Sequence, residues 1–173
     1  SLTRKTMGIV GLGRIGRAIA RRAEAFGINV VYHGRSEKKD VPYKYYTSLK
    51  AMADEADILM LSCVGGADTE NLIDADVLDC LGARGVLINI ARGSVVDEKA
   101  LIEALINKKI AAAGLDVYAK EPYVPDELKK MDNVVLLPHI ASATTETRGI
   151  MGELVIENLL AHFEGRALIT PVG

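Results

Sequence analysis

Three side chains in the second half of the chain could do chemistry together. Arg92 lies in Asn89-Ile90-Ala91-Arg92-Gly93, followed by Val96-Asp97-Glu98. Glu121, with Pro122, comes after Gly114-Leu115-Asp116-Val117-Tyr118, and His139 sits in Pro138-His139-Ile140-Ala141-Ser142-Ala143-Thr144. Each set follows an apolar run that reads as a strand, and so falls at the carboxyl edge where α/β sheets bind ligands. Arg92 offers a planar fork that matches a carboxylate better than the point charge of a lysine. A histidine's ordinary pKa, about 6.5, suits His139 to giving a proton near neutrality. A carboxylate beside it, such as Glu121, would fix the imidazole's orientation. A cation to hold a carboxylate and polarise a carbonyl, together with an acid to protonate the oxygen, suits reduction of a 2-keto acid. Taken singly, each residue has a plainer reading: the arginine as a salt-bridge partner, the histidine as a satisfied structural side chain.

Reduction needs an electron donor, and the first strand leads into a place to hold one. Gly11-Leu12-Gly13-Arg14-Ile15-Gly16 is a G-x-G-x-x-G between an apolar strand and an amphipathic helix, the context that gives this weak pattern meaning. Gly11 permits the tight turn, Gly13 the approach of a pyrophosphate, and Gly16 the packing of helix on strand. The helix start offers unpaired N–H groups and partial positive charge to the phosphates. At the end of the second strand, NAD enzymes place an acid for the ribose hydroxyls. Here the run is Val31-Tyr32-His33-Gly34-Arg35-Ser36, with no acid before Glu37. A guanidinium can grip a 2′-phosphate that a carboxylate would repel, so Arg35 and Ser36 favour NADP. The other reading has Arg35 as a solvated loop charge and Glu37 serving the ribose of NAD. His33 fits either the adenine-ribose pocket or an ordinary strand end.

The elements that must position these residues alternate strand and helix, the pattern of a parallel sheet wrapped by helices. Strands are expected at 7–10, 29–32, 57–62, 85–90, 112–115 and 134–137. Helices are expected at about 14–26, stopped by Gly27, then 48–54, 75–81 and 98–108, the last capped by Asp97. Residues 33–47 read as a polar connection. The segment 144–164 is helical by pattern, with Ile150, Met151, Leu154, Val155, Leu159 and Phe163 on one stripe, most simply a core-packing face. The expected fold is α/β, a single doubly wound Rossmann-type parallel sheet with helices on both faces, over residues 1–173. That length suits one domain and is short for two. A composition of 49% hydrophobic and 25% charged residues is that of a globular protein, and a net charge of −2 gives no reason to expect nucleic acid or an anionic membrane as partner. No apolar run is long enough for a membrane span, and the first residues do not read as a signal peptide. Cys63 and Cys80 are far from any metal-ligand pattern and read as two buried, reduced thiols of a cytoplasmic protein. Ser1, in place of an initiator Met, reads as the start of a processed, engineered or excised fragment.

The glycine motif, N-x-A-R-G-x-x-V-D-E, G-L-D-V-Y with E-P after it, and L-P-H-I-A-S-A-T occur in an order that resembles the D-2-hydroxyacid dehydrogenases. The likeness runs from Met7 to Thr170-Pro171-Val172, and is strongest to the glyoxylate, hydroxypyruvate and hydroxyphenylpyruvate reductases. It implies NADP as cofactor, with NAD left open, and a small 2-keto or 2-hydroxy acid as substrate. It implies that Arg92 binds substrate, that His139 is the acid/base and that Glu121 is its partner. It further implies that Asp116 contacts the nicotinamide amide, and that Cys63, Ala91, Arg92, His139 and Ser142 border the cofactor groove begun by Gly11 to Gly16. A homodimer is implied as well.

Two departures stand out. Where the family commonly has Pro and then Thr-x-x-Thr, this chain reads Cys63-Val64-Gly65-Gly66-Ala67-Asp68-Thr69, and the two glycines predict a more flexible loop. The family's substrate domain, built mostly from an N-terminal segment, has no counterpart before Met7. The isolated chain is therefore expected to bind cofactor and turn over poorly, with the helix over 144–166 packing toward that domain. Two other functions fit the same scaffold: a dinucleotide-sensing corepressor-like protein, and a formate or phosphite dehydrogenase.

Overall fold

The structure, a computed structural model, describes residues 1–171, so Val172 of the terminal Thr-Pro-Val lies outside the described residues. The chain forms two units, Ser1–Pro138 and a second that begins at His139. The first holds seven strands: β1 (Thr6–Val10), β2 (Asn29–His33), β3 (Lys44–Tyr46), β4 (Ile58–Leu61), β5 (Val86–Asn89), β6 (Ala112–Leu115) and β7 (Val134–Leu136). All pair in parallel, in the order β3-β2-β1-β4-β5-β6-β7. Between them run α1 (Arg14–Ala25), α2 (Leu49–Glu55), α3 (Ala75–Leu81), α4 (Glu98–Ile106) and the single turn α5 (Asp126–Lys129).

Successive strand side chains point to opposite faces, and two apolar cores result. Met7, Ile9, Val30 and Tyr32 pack with Ala20 and Ala23 of α1. Val10, Val31, Leu59, Leu61 and Leu87 pack with Met52 of α2, Leu78 of α3 and Leu101 of α4. Helices thus cover both faces, as a doubly wound sheet requires.

The side chains of Ser48, Asp74 and Asp97 accept the N–H of Ala51, Val77 and Ala100 and so start α2, α3 and α4. At α1 the capping residue is Gly13, no side chain caps it, and no acid lies in the first turn. The N–H groups there are left for something else.

The polar connection expected over 33–47 contains β3. Three residues are too few to show a period. What makes them a strand is tertiary: Tyr45 stacks at 5.2 Å on Tyr32 of β2, and its hydroxyl donates to Gly34 O.

In the second unit, α6 (Thr145–Phe163) is capped by Thr144. The stripe expected to be core is not: Ile150, Met151, Val155, Leu159 and Phe163 are exposed, Leu154 is half-buried, and Ala161 is the one buried residue of the helix. Apolar residues occur around most of α6, so periodicity marked a helix without fixing what it packs on. No helix among the described residues is long and apolar enough to cross a membrane.

The amino ends of β1 and β4 are joined by Asp57, which accepts from Lys5 Nζ and from Thr6 N–H. These bonds, the lysine's first, hold its carboxyl below the usual carboxylate range. A depressed folded-state pKa adds stability above the ordinary carboxylate range, and that stability is lost as pH falls through the folded value. Asp57→Asn is expected to lower the thermal midpoint slightly at neutral pH and to flatten its decline in acid, read from melting curves across that range. An unchanged acid limb would count against the assignment.

Candidate functional site

The strand order reverses between β1 and β4, the crevice in which open α/β sheets bind ligands. Gly11 turns the chain out of β1 at φ +93, its N–H donating to His33 O and its carbonyl accepting from Ser62 Oγ at 2.9 Å. A Cβ on Gly11 would stand 2.5 Å from Cys63 Cα, and one on Gly16 would stand 2.4 Å from Gly11 O. At Gly13 a Cβ would meet nothing within 4 Å. The outer two glycines let the turn close on itself, and the middle one keeps bare backbone facing open space at the start of α1. That arrangement, with no side chain on the helix start, fits a pyrophosphate. Arg14 and Ile15 are exposed in the first turn of α1.

Arg35, Ser36 and Glu37 are exposed beyond β2, where Lys38 Nζ lies 3.5 Å from Ser36 Oγ. His33 is half-buried, with Nδ1 2.9 Å from Tyr46 O. A carbonyl can only accept, so Nδ1 donates, and the ring braces β3.

Cys63 follows β4 and is free, as is Cys80. Both are half-buried rather than buried. Burial pushes the Cys63 thiol up from its ordinary pKa, which favours its neutral form.

Arg92 stands exposed on the loop after β5, beside buried Ala91, with Nη1 donating to Ala91 O at 2.6 Å. Its backbone is held by Asn89, 1% exposed, whose Nδ2 donates to Arg92 O at 3.0 Å while Oδ1 accepts from Ala91 N at 2.9 Å. Asn89 was legible as part of a motif, but its clamp was not read from sequence; a buried polar residue closing a strand is the signal that could have found it.

Asp116 is 3% exposed after β6, its N–H donating to Asn89 O. Exposed Glu121 accepts from Tyr118 N at 3.2 Å. The Tyr118 hydroxyl lies 2.8 Å from Leu137 O and 3.2 Å from Leu115 O, joining the carboxyl ends of β6 and β7. His139 and exposed Ser142 open the second unit, and His139 adopts φ +55, a left-handed backbone uncommon outside glycine. Arg4, Asn71 and Lys108 share that backbone region. No cluster of His, Cys, Asp and Glu able to hold a metal occurs among the described residues.

The loop at Gly65 and Gly66 is largely exposed, and its one close approach is at Gly65. A Cβ at Gly65 would lie 2.6 Å from Arg92 Cγ, and the Thr69 hydroxyl sits 2.9 Å from Val64 O and 3.2 Å from Gly66 O.

A parallel sheet with a glycine turn at its switch point defines a dinucleotide-binding α/β protein. The family described as D-isomer specific 2-hydroxyacid dehydrogenase, NAD binding domain, matches residues 1–141, and the chain belongs to it. It is 52% identical over 168 residues to the glyoxylate/hydroxypyruvate reductase A of Arabidopsis thaliana, covering 97% of this chain and 54% of that protein. It is 50% identical to the hydroxyphenylpyruvate reductase of Plectranthus scutellarioides, with the same coverage. Among solved structures it is similar to the NADPH-dependent glyoxylate/hydroxypyruvate reductase of Sinorhizobium meliloti in complex with NADP and malonate. There the TM-score is 0.97 at 50% identity, over all of this chain and 54% of that one. The chain spans about half the length of the curated relatives it matches.

Proposed function

We propose that the protein reduces a small 2-keto acid, glyoxylate or hydroxypyruvate, to the D-2-hydroxy acid, with NADPH as donor. The observation that carries this reading is the joint presence, on one carboxyl edge, of an open phosphate turn at Gly13 and a clamped, exposed Arg92. The names of the relatives support the substrate class.

In this reading Gly11, Gly13 and Gly16 with the start of α1 hold the pyrophosphate, Arg35 and Ser36 hold the 2′-phosphate, and Asp116 meets the nicotinamide amide. Cys63, Ala91 and Ser142 line the groove. When bound, the reduced nicotinamide supplies hydride to the keto carbon. Arg92 grips the substrate carboxylate and polarises the carbonyl, His139 gives its oxygen a proton, and Glu121 orients the imidazole. The exposed apolar residues of α6 support its packing on a substrate domain. The family resemblance supports a homodimer, the two free thiols favour a cytoplasmic setting, and the net charge of −2 favours neither nucleic acid nor membrane as partner.

The test, made on this chain together with a substrate domain, follows oxidation of NADPH and NADH in parallel, with glyoxylate, hydroxypyruvate and hydroxyphenylpyruvate. Turnover preferring NADPH is expected. Arg35→Ala should lower kcat/KM for NADPH about 10- to 100-fold, the worth of one charge-assisted contact, and change NADH little. Indifference to Arg35 would move the ribose contact to Glu37. Tight cofactor binding with no turnover on any keto acid would put a dinucleotide-sensing protein in place of the reductase.

A further inference from the structure

The loop after β4 carries two adjacent glycines constrained in opposite ways. At Gly66 the constraint is the backbone: φ is +153, and a Cβ there would meet nothing within 4 Å. At Gly65 the backbone lies outside the left-handed region, so any L-residue could adopt it, and the constraint is a neighbour. A Cβ would lie 2.6 Å from Arg92 Cγ and 3.0 Å from Arg92 Cβ. The atoms struck are the root of the arginine side chain and not its mobile end. Cγ moves by rotation about Cα–Cβ, which swings the guanidinium furthest, and Cβ moves only with the backbone.

Neither side can step back to make room. Asn89 holds this loop through both ends of its amide, donating to Arg92 O and accepting from Ala91 N. In the same loop Gly93 is backed against the Tyr118–Ala119 peptide. The Gly65 loop is tied by Thr69, whose hydroxyl lies within hydrogen-bond distance of the carbonyls on both sides of Gly65.

We propose that Gly65 is a positioning residue for Arg92: its bare backbone, pinned by Thr69, is the wall against which the arginine stem rests, and it sets where the guanidinium meets the substrate carboxylate. The inference rests on the reading that Arg92 binds a 2-keto acid.

The test, made on this chain together with a substrate domain, compares wild type, Gly65→Ala, Gly66→Ala, Arg92→Ala and the Gly65→Ala/Arg92→Ala double variant. Each is assayed for keto-acid turnover, NADPH affinity, thermal midpoint and affinity for malonate as an unreactive carboxylate probe. Gly65→Ala should raise KM about tenfold or more, the scale on which a misplaced binding group acts, with NADPH affinity held within about twofold. Malonate affinity should fall with it. Gly66→Ala, strained but open, should lower the thermal midpoint and leave KM unchanged. The double variant should bind substrate little worse than Arg92→Ala, since only the milder 3.0 Å contact with the remaining Cβ is left and there is no guanidinium to displace.

An unchanged KM in Gly65→Ala, equal losses in the two glycine variants, or additive losses in the double variant would each overturn the proposal. Absence of keto-acid turnover in the wild type would sink the reductase reading and leave malonate to decide Gly65. In that case, equal affinity in wild type and Gly65→Ala, or no malonate binding at all, overturns the positioning role.

Discussion

Arg92→Ala is expected to lower kcat/KM for glyoxylate or hydroxypyruvate by about 10³-fold, the scale found when one preorganised donor to a developing charge is removed. Arg92 is fixed at its root and tethered at its exposed head: Asn89 holds its carbonyl, Gly65 bounds its stem, and Nη1 donates to Ala91 O. A donor already in place when substrate arrives costs no reorganisation at the moment of reaction, which is why such a loss should exceed that of an ordinary surface charge. Arg92→Lys keeps the charge but not the fork, and should fall between wild type and alanine. The measurement is steady-state turnover with NADPH saturating. A loss of less than about tenfold would show that another group carries the carboxylate.

Local chemistry was legible in the sequence wherever a residue acts on its near neighbours. Gly11, Gly13 and Gly16 belong to one turn, so their spacing already implied the geometry found there. Asp97 caps the helix that begins one residue later. The motif around Arg92 placed it after a strand because the apolar run before it could be little else.

What stayed hidden depends on residues far apart in the chain. β3 exists because Tyr45 lies on Tyr32, and no period in three residues could announce that. Gly65 and Gly66 read alike as flexible, yet one is set by its φ and the other by a side chain 27 positions away. The α6 stripe gave the helix correctly and its environment wrongly, since periodicity says which residues share a face but not what meets it.

Gly93→Ala is expected to cost about 3 kcal/mol or more, the upper range for overpacking a closed site. Gly93 is buried in the turn that follows Arg92, and a Cβ there would lie 1.9 Å from both C and O of Tyr118 and 2.4 Å from Ala119 N. Every atom struck is backbone, so no rotamer change can relieve the clash. The peptide on the other side is held as well: Ala119 N donates to Glu98 Oε2, Tyr118 N to Glu121 Oε1, and the Tyr118 hydroxyl reaches Leu137 O. Making room must therefore either lift the Arg92 loop off β5 or pull the Tyr118 segment from Glu98 and Glu121. For a chain of this size the thermal midpoint should fall by roughly 6–12 °C. Turnover should be lost beyond what the unfolded fraction explains, because the same shift separates Arg92 from the segment that holds Glu121. Thermal melting and turnover well below the new midpoint read the two effects apart. A midpoint within about 2 °C of wild type, roughly the shift expected from a harmless substitution, would mean that the two loops are not pressed together as described.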